Sequence, residues 1–574
     1  MSIYMGPVLG FRGQDGDGWH VCVLLVTEDD KTPSAPTLEW SFTELDGKAT
    51  KSGDGGEPTL LKALDGKSVW RFVISVEQGR RQRVVTYTTQ GRTNRFVVPA
   101  LLTEDDALDR EQPFRVAYAS CNGQSNPDRD EKKRGTDNNM WNVMWGQHNG
   151  EIFWEGMGQA WRPYHLLILG GDQLYADGVW QKISELGKWR GLSDEEKKSG
   201  LGPGVDQAAV EREIEKFYFN LYCDQWRSPE IERMLSSVPT LMMWDDHDIF
   251  DGWGSYPESQ LGWLLYRLIY AAAAEHFCVF QLQATPAEIA AARAEAEAGG
   301  AGGRFGGGSR ALPDLIPHQS AFSYAYRVNK TVFAMLDMRS ERTLHRVMSD
   351  ESREAFYKWI SEVEGKECEN FLLLSAIPLV YVNSAMLGKL LRWAPWQGDP
   401  EYKYSLNDDF ADQWMSDAHR FERLRLINRL LDFADRKKCR VTVVSGDVHV
   451  GGMGKIEASA GGAPSRDAWT INQLISSPIV HVPNGSFLVS LMEWWLDGAV
   501  EQIDNAGRDI TARMIRLPTT DFHLIPARNW LSLTLDYRNR VWAEWFIEDL
   551  KPAKPSEPFT KLSQVIYPIG HFDR

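Results

Sequence analysis

Four times along this chain an unbroken apolar run stops abruptly at acidic, histidine or glycine residues: Phe114–Asn122, Tyr164–Asp177, Thr240–Asp251 and Arg440–Gly452. A run without alternation suits a strand covered on both faces, as in a parallel sheet flanked by helices. In open α/β sheets, ligands bind just past the carboxyl ends of strands. The polar residues of all four runs fall there, and packing alone gives no reason for four strands to deliver such residues to one edge. From Pro113 onward the chain is therefore expected to be α/β, with its chemistry at these four ends.

Upstream the texture differs. Short runs such as Trp19–Val26, Ser68–Val76 and Arg83–Thr89 are β-branched or alternating, and turns at Asp46-Gly47-Lys48 and Gly53–Gly56 separate them. Residues 1–108 read as an all-β, immunoglobulin-like sandwich and 109–574 as the catalytic domain, joined through the charged stretch Thr103–Gln112. Amphipathic spacing predicts helices over Gln207–Leu235 and Ala411–Lys437. A third, Pro286–Ala298, has Thr285 as N-cap and a proline where no N–H is needed. Gly299–Gly308 reads as a surface loop, and hairpins are expected around Ser320–Asp337 and Trp530–Phe546. Leu261–Leu282 carries three ionisable residues, and Phe371–Val382 is shorter than the ~20 apolar residues a span needs, so both read as core and no membrane span is expected.

The formal net charge is -16, which disfavours a nucleic-acid-binding role and poses a problem for a phosphate substrate. Such a ligand needs a local positive centre, and bound cations are one solution. The six cysteines form no CxxC pair and are too sparse for a disulfide scaffold, so they read as reduced thiols. The first residues show no secretory signal, and a cytoplasmic location is expected.

Four blocks carry the chemistry: Ala119-Ser120-Cys121-Asn122, Gly170-Gly171-Asp172-Gln173-Leu174-Tyr175-Ala176-Asp177, Trp244-Asp245-Asp246-His247-Asp248-Ile249-Phe250-Asp251 and Ser445-Gly446-Asp447-Val448-His449. In the second, glycine lets the backbone turn sharply so that Asp172 aims outward, where a carboxylate can bridge two cations. Tyr175 can curl back to the same centre. The third packs four acids and one histidine into seven residues, and like charges so close repel unless a cation neutralises them. His247, with an ordinary pKa near ~6.5, can protonate a leaving oxygen. In the fourth, Asp447 and His449 are two apart, on the same side of an extended segment. Each block alone has a plainer reading, whether a capped turn, a solvated acidic loop or a buried cysteine; the argument lies in their joint occurrence.

The order of these blocks resembles the metallophosphoesterase superfamily. The departures from its usual pattern, namely Ser-Cys, Gly-Asp-x-x-Tyr, Trp-Asp-Asp-His and Ser-Gly-Asp-x-His, resemble the PhoD-like alkaline phosphatases. The resemblance runs over roughly 114–546 and implies a calcineurin-like β-sandwich flanked by helices. It also implies an iron centre held by Cys121, Asp172, Tyr175 and His449, and a second divalent cation, calcium, held by Asp172, Asp246, Asp251 and Asp447. Asp251 stands where the family carries Asn, and no counterpart to the superfamily's lone fourth-block histidine is evident. Asp172 and His247 are the expected catalytic residues, and Arg339 a candidate substrate-phosphate ligand. Arg528-Asn529-Trp530 reads as a strand start, and His318 and His481 lie in proline-flanked loops without an assigned role. The expected reaction is hydrolysis of a small-molecule phosphomonoester by metal-activated hydroxide, with phosphodiester hydrolysis on the same centre, or metal binding without catalysis, as alternatives.

Overall fold

The computed structural model describes residues 2–16, 18–28, 35–44, 50–101, 112–125, 139–150, 162–298, 310–363, 368–382, 413–460, 465–483, 485–505, 508–549 and 559–570. The Asp46–Lys48 turn, the Gly299–Gly308 loop and the domain boundary at 108 lie outside them.

Eight strands come first: β1 (Ser2–Asp15), β2 (Gly18–Glu28), β3 (Leu38–Glu44), β4 (Thr50–Asp54), β5 (Thr59–Leu64), β6 (Lys67–Glu77), β7 (Arg83–Thr89) and β8 (Arg92–Val98). The runs singled out in the sequence then form β9 (Phe114–Ala119), β10 (Leu166–Gly170) and β11 (Thr240–Met243). They are followed by β12 (Tyr324–Val328), β13 (Thr331–Leu336), β14 (Asn370–Ser375), β15 (Arg440–Ser445), β16 (Gly451–Ser459) and β17 (Thr470–Ser476). The chain closes with β18 (Glu501–Asn505), β19 (Arg508–Ile515), β20 (Leu524–Ile525), β21 (Asn529–Leu535), β22 (Val541–Glu548) and β23 (Phe559–Ile566).

Two large sheets result. The first has ten strands in the order β23-β22-β21-β9-β10-β11-β1-β2-β6-β5, and β9, β10, β11 and β1 run parallel. The second has nine, with β12-β13-β14-β15-β17-β16-β19-β18 in line and β20 against β16. Within it β13, β14, β15 and β17 run parallel. Alternation along the strands explains how these sheets stack. Val116 and Tyr118 of β9, Ile168 of β10 and Leu241 of β11 enter the core shared with Phe333, Leu372 and Val444 of the second sheet. Ala117, Leu167 and Met242, one residue along, face helices Gln207–Trp226 and Pro229–Leu235. The outer face of the second sheet is covered by helices Asp350–Glu362 and Arg420–Lys437. The result is a helix–sheet–sheet–helix sandwich, and each fully buried Leu or Ile contributes about 1.5–3 kcal/mol to it.

The described residues between 2 and 101 are all-β. β1, β2, β5 and β6 continue the first large sheet, with Gly10 of β1 opposite Thr240 of β11, while β3, β4, β7 and β8 form a separate four-stranded sheet. Leu38, Phe42, Tyr87 and Phe96 of that small sheet belong to the same apolar cluster as Val116 and Ile168. The all-β region thus shares both a sheet and a core with the α/β region.

Several local expectations are met. Thr285 caps helix Pro286–Glu297, accepting the Glu288 N–H, and both expected hairpins form, the first with Val328 opposite Thr331 across Asn329-Lys330. Others are corrected. The helix expected over Gln207–Leu235 breaks before Pro229, whose ring blocks continuation. The later helix begins at Arg420, after turns in which Ser416 Oγ lies 3.0 Å from His419 Nδ1. Cys368 and Cys439, expected as reduced thiols, form a disulfide between the starts of the neighbouring strands β14 and β15, with Cα atoms 5.6 Å apart. Among the described residues, no helix is long and apolar enough to cross a membrane.

Candidate metal centre and catalytic cleft

All four blocks leave the carboxyl ends of parallel strands, three from the first sheet (β9, β10, β11) and one from the second (β15). The turns are tight. Gly171 has φ +106°, and a Cβ on Gly446 would collide with the Ser120 hydroxyl, so the two sheets approach there only because position 446 has no side chain. Cys121, Asp172, Asp447 and His449 all lie in the left-handed region, at φ 53°, 53°, 65° and 52°. Such conformations cost roughly 1–3 kcal/mol each in non-glycine residues and collect at functional sites. These strand ends accept that cost to turn the four side chains inward.

The side chains converge. Ligand atoms of Cys121, Asp172 and His449 lie within 4.8 Å of one another, as do those of Asp172, Asp246 and His247, and those of Asp245, Asp246 and Asp447. Asp172 and Asp246 each belong to two of these groups. The Cys121 thiol is 3.5 Å from Asp172 Oδ2, and the Tyr175 hydroxyl is 3.4 Å from His449 Nε2. Asp251 is not drawn in: its carboxylate is half-exposed, 3.9 Å from His247 Nε2, and it belongs to none of the three groups.

Arg339, expected to bind substrate phosphate, is 0% exposed. Its guanidinium pairs with Asp245 and lies 3.3 Å from Asp246 Oδ1, and it donates to the Trp253 carbonyl at 3.2 Å. In this place it holds two carboxylates rather than a ligand. No local pattern signals that role, because the pairing spans more than ninety residues.

Residues outside the expected set also belong here. Asp177 Oδ2 is 2.9 Å from His247 Nδ1, and its other oxygen accepts the Asp251 N–H at 2.7 Å. Gln413 donates to Asp447 Oδ2 at 2.6 Å. His481 packs its ring against Tyr175 and His449, with centroids 5.2 and 4.0 Å away, while Tyr175 stacks on His247 at 4.3 Å. Asp248, the fourth acid of the third block, turns away from the cluster and accepts backbone N–H groups instead. Asn529 opens β21, as expected, and pins Ser476 and Ser477 beside the site. His318 belongs to none of these clusters.

The electrostatics of the cluster call for a cation. Burial, then the neighbouring Asp245, raises Asp172 well above the usual carboxylate range. Burial and Asp172 push the Cys121 thiol up, and burial, Cys121 and Asp172 do the same to Tyr175. Burial pulls His449 well below the ordinary imidazole value. Burial also works against a charge on His247, but Asp177 and Asp246 outweigh it and raise that ring. Asp172 Oδ1 is buried without a hydrogen-bond partner. An orphaned, acid-crowded carboxylate facing a thiol, a phenol and a neutral imidazole fits a bound metal, which would invert these shifts.

Residues 107–305 and 401–507 match the family model described as PhoD related phosphatase, just over half of the chain. An uncharacterized protein of Saccharomyces cerevisiae, YGR266W, is 24% identical over 495 residues, covering 75% of this chain; the aligned stretch spans 65% of that relative's own length. A solved structure of PhoD superposes with a TM-score of 0.53 at 12% identity, covering 99% of this chain and 91% of that one. A purple acid phosphatase from yellow lupin (Lupinus luteus) is a weaker likeness, with a TM-score of 0.48 at 12% identity, covering 98% and 74%.

Proposed function

This chain belongs to the PhoD-related phosphatase family, and from that premise we propose that it hydrolyses small-molecule phosphoesters, monoesters first among them, at a centre of two cations. The observation that carries the reading is the coincidence of donors and backbone: Cys121, Asp172, Asp447 and His449 are at once cluster members and left-handed residues. Cys121, Asp172, Tyr175 and His449 would hold iron, since thiolate and phenolate donors suit a transition metal. Asp172, Asp246 and Asp447, with Asp245 beside them, would hold a harder cation such as calcium. When bound, the cations supply Lewis-acid polarisation of the phosphoryl group and lower the pKa of water.

The protein's own groups do the rest. Asp177, on His247 Nδ1, fixes the ring so that Nε2 is the atom that offers a proton to the leaving oxygen. Tyr175 stacks on that ring and restrains its tilt. Arg339 neutralises Asp245 and keeps Asp246 in place from behind. No serine nucleophile is needed.

The test is hydrolysis of aryl and alkyl phosphate monoesters, with a diester for comparison, by metal-loaded protein. The reading expects monoesters to be cleaved and Asp172→Asn to lose turnover and metal together while remaining folded. A variant that keeps near-normal turnover and metal content would refute it.

A further inference from the structure

The fourth acid of the third block does not face the cluster, and its surroundings say why it is there. Asp248 is 2% exposed. Its Oδ1 accepts the N–H groups of Gln173 and Leu174, both at 3.1 Å, and its Oδ2 accepts the Asp245 N–H at 2.9 Å. Gln173 and Leu174 directly follow Asp172, and Asp245 directly precedes Asp246. One carboxylate therefore staples together the two loops that carry Asp172 and Asp246.

The staple is itself held. Gln281 Nε2 donates to Asp248 Oδ1 at 3.1 Å and to the Tyr222 hydroxyl at 3.0 Å. Gln281 reaches this spot because helix Leu264–His276 does not end in an α-turn. It continues as a π-helical turn, Phe277–Gln281, with the Leu282 N–H on the Phe277 carbonyl at 3.0 Å. Such turns re-aim the side chains beyond them and are frequent at functional sites. The turn is fastened from outside by the N-terminal strands. Arg12 donates to the Leu282 carbonyl at 2.5 Å, Arg71 to the Gln283 carbonyl at 3.0 Å, and Gln283 to the Val8 carbonyl at 3.1 Å. Arg71 is anchored in turn by Glu288 at 2.8 Å.

We propose that Asp248 is a positioning residue that sets the spacing of Asp172 and Asp246 for cation binding, and that β1 and β6 take part in that task by fixing Gln281 through the π turn. The inference rests on the reading that Asp172 and Asp246 hold a cation. It gives the N-terminal strands a function, although they contribute no ligand. Substituting a side chain that supports metal ligands from behind lowers metal affinity about 10–100-fold. Asp248→Asn keeps the shape but turns an N–H₂ group toward one set of N–H donors, so it falls in that range. Gln281→Leu and Arg71→Met act one and two contacts further out and weaken binding in that order.

The experiment is titration of metal-stripped full-length protein with iron and with calcium, alongside thermal melts. A control variant, Phe433→Leu, lies in the apolar core outside the second sheet. The expected result is weakened metal binding in Asp248→Asn, Gln281→Leu and Arg71→Met, while Phe433→Leu lowers the melting temperature with unchanged affinity. Wild-type protein that binds, with Asp248→Asn and Gln281→Leu binding equally tightly, overturns the positioning role. Normal binding by Arg71→Met alone overturns the part given to the N-terminal strands. Wild-type protein that takes up neither metal overturns the functional reading and this inference together.

Discussion

The two sheets serve the site in different ways. The three loops of the first sheet are bonded to one another. The Cys121 N–H donates to the Gly171 carbonyl, Asn122 donates to the Asp172 carbonyl, Asp248 joins the second loop to the third, and Arg339 braces Asp245 and Asp246. The single loop of the second sheet is held differently: the Gly446 N–H donates to the Ala376 carbonyl of its own sheet, the Asp447 carboxylate accepts from Gln413, and the His449 N–H donates to the Ser477 hydroxyl. One side is a braced frame and the other a single inserted loop. The bridging role proposed for Asp172 suits a place on the frame, because two cations would need its oxygens at a fixed separation.

The difference yields an ordered set of expectations. The largest effect is at the bridge: Asp172→Asn abolishes phosphoesterase turnover. Because it also removes one charge from a crowded cluster, its metal-free melting temperature equals or exceeds that of metal-free wild type. A variant that melts lower without metal would mean the frame, not the ligand, was lost.

Next is His247→Ala, which slows alkyl esters by about 10²–10⁴-fold and nitrophenyl esters far less, since a good leaving group needs little protonation. Equal losses on both substrate types would remove His247 from the acid role.

The frame is then set against the inserted loop. Arg339→Met leaves Asp245 buried without its main partner and costs about 3–5 kcal/mol of stability. Asp447→Asn weakens metal binding yet moves stability by only about 0.5 kcal/mol. Denaturant unfolding of both variants checks this, and equal destabilisation would erase the distinction between the two sides.

The effect smallest on function, because it falls on stability alone, lies at the amino ends of β9 and β10. Burial, with Arg115 second, lowers His165 to about 3, and its Nδ1 accepts the Arg115 N–H at 3.0 Å. The folded pKa lies below the unfolded value of ~6.5, so the folded state binds fewer protons. Stability is full above that value and is lost as pH falls toward the folded value. His165→Asn, which retains an acceptor, therefore unfolds less steeply below pH 6.5, by on the order of 1–2 kcal/mol at pH 5, with turnover at neutral pH unchanged. An unaltered acid limb would show that His165 is not one of the groups driving acid unfolding.

What the sequence disclosed depended on the reach of its signals. The four apolar runs became β9, β10, β11 and β15 because burial on both faces leaves a continuous apolar imprint. Thr285 and Pro286 marked a helix start because capping is local. The place of β1 beside β11 was not legible: its residues lie far apart in the chain, and Gly6, Pro7, Gly10 and Gly13 obscure the strand itself. The proposed metal ligands are visible as residue types at strand ends. The aiming roles of Arg339, Asp177 and Asp248 are not, since a carboxylate's direction depends on partners elsewhere in the chain. Asp251 enters the ligand set only through the family resemblance, and its carboxylate lies half-exposed, 3.9 Å from His247 Nε2 and outside the three groups. The left-handed backbone at Cys121 and Asp172 left no trace in residue type, unlike that at glycine.

On the proposed reading, four strand ends would bring a thiolate and a phenolate to one centre, a donor pair suited to a transition metal rather than to two colourless divalent ions. Elemental analysis and the visible absorption spectrum of native protein, alongside Cys121→Ser and Tyr175→Phe, test it most directly. Native protein is expected to be coloured, with about one iron per chain and a charge-transfer band that each substitution shifts or removes. An active, colourless, iron-free protein whose spectrum ignores both substitutions would contradict it.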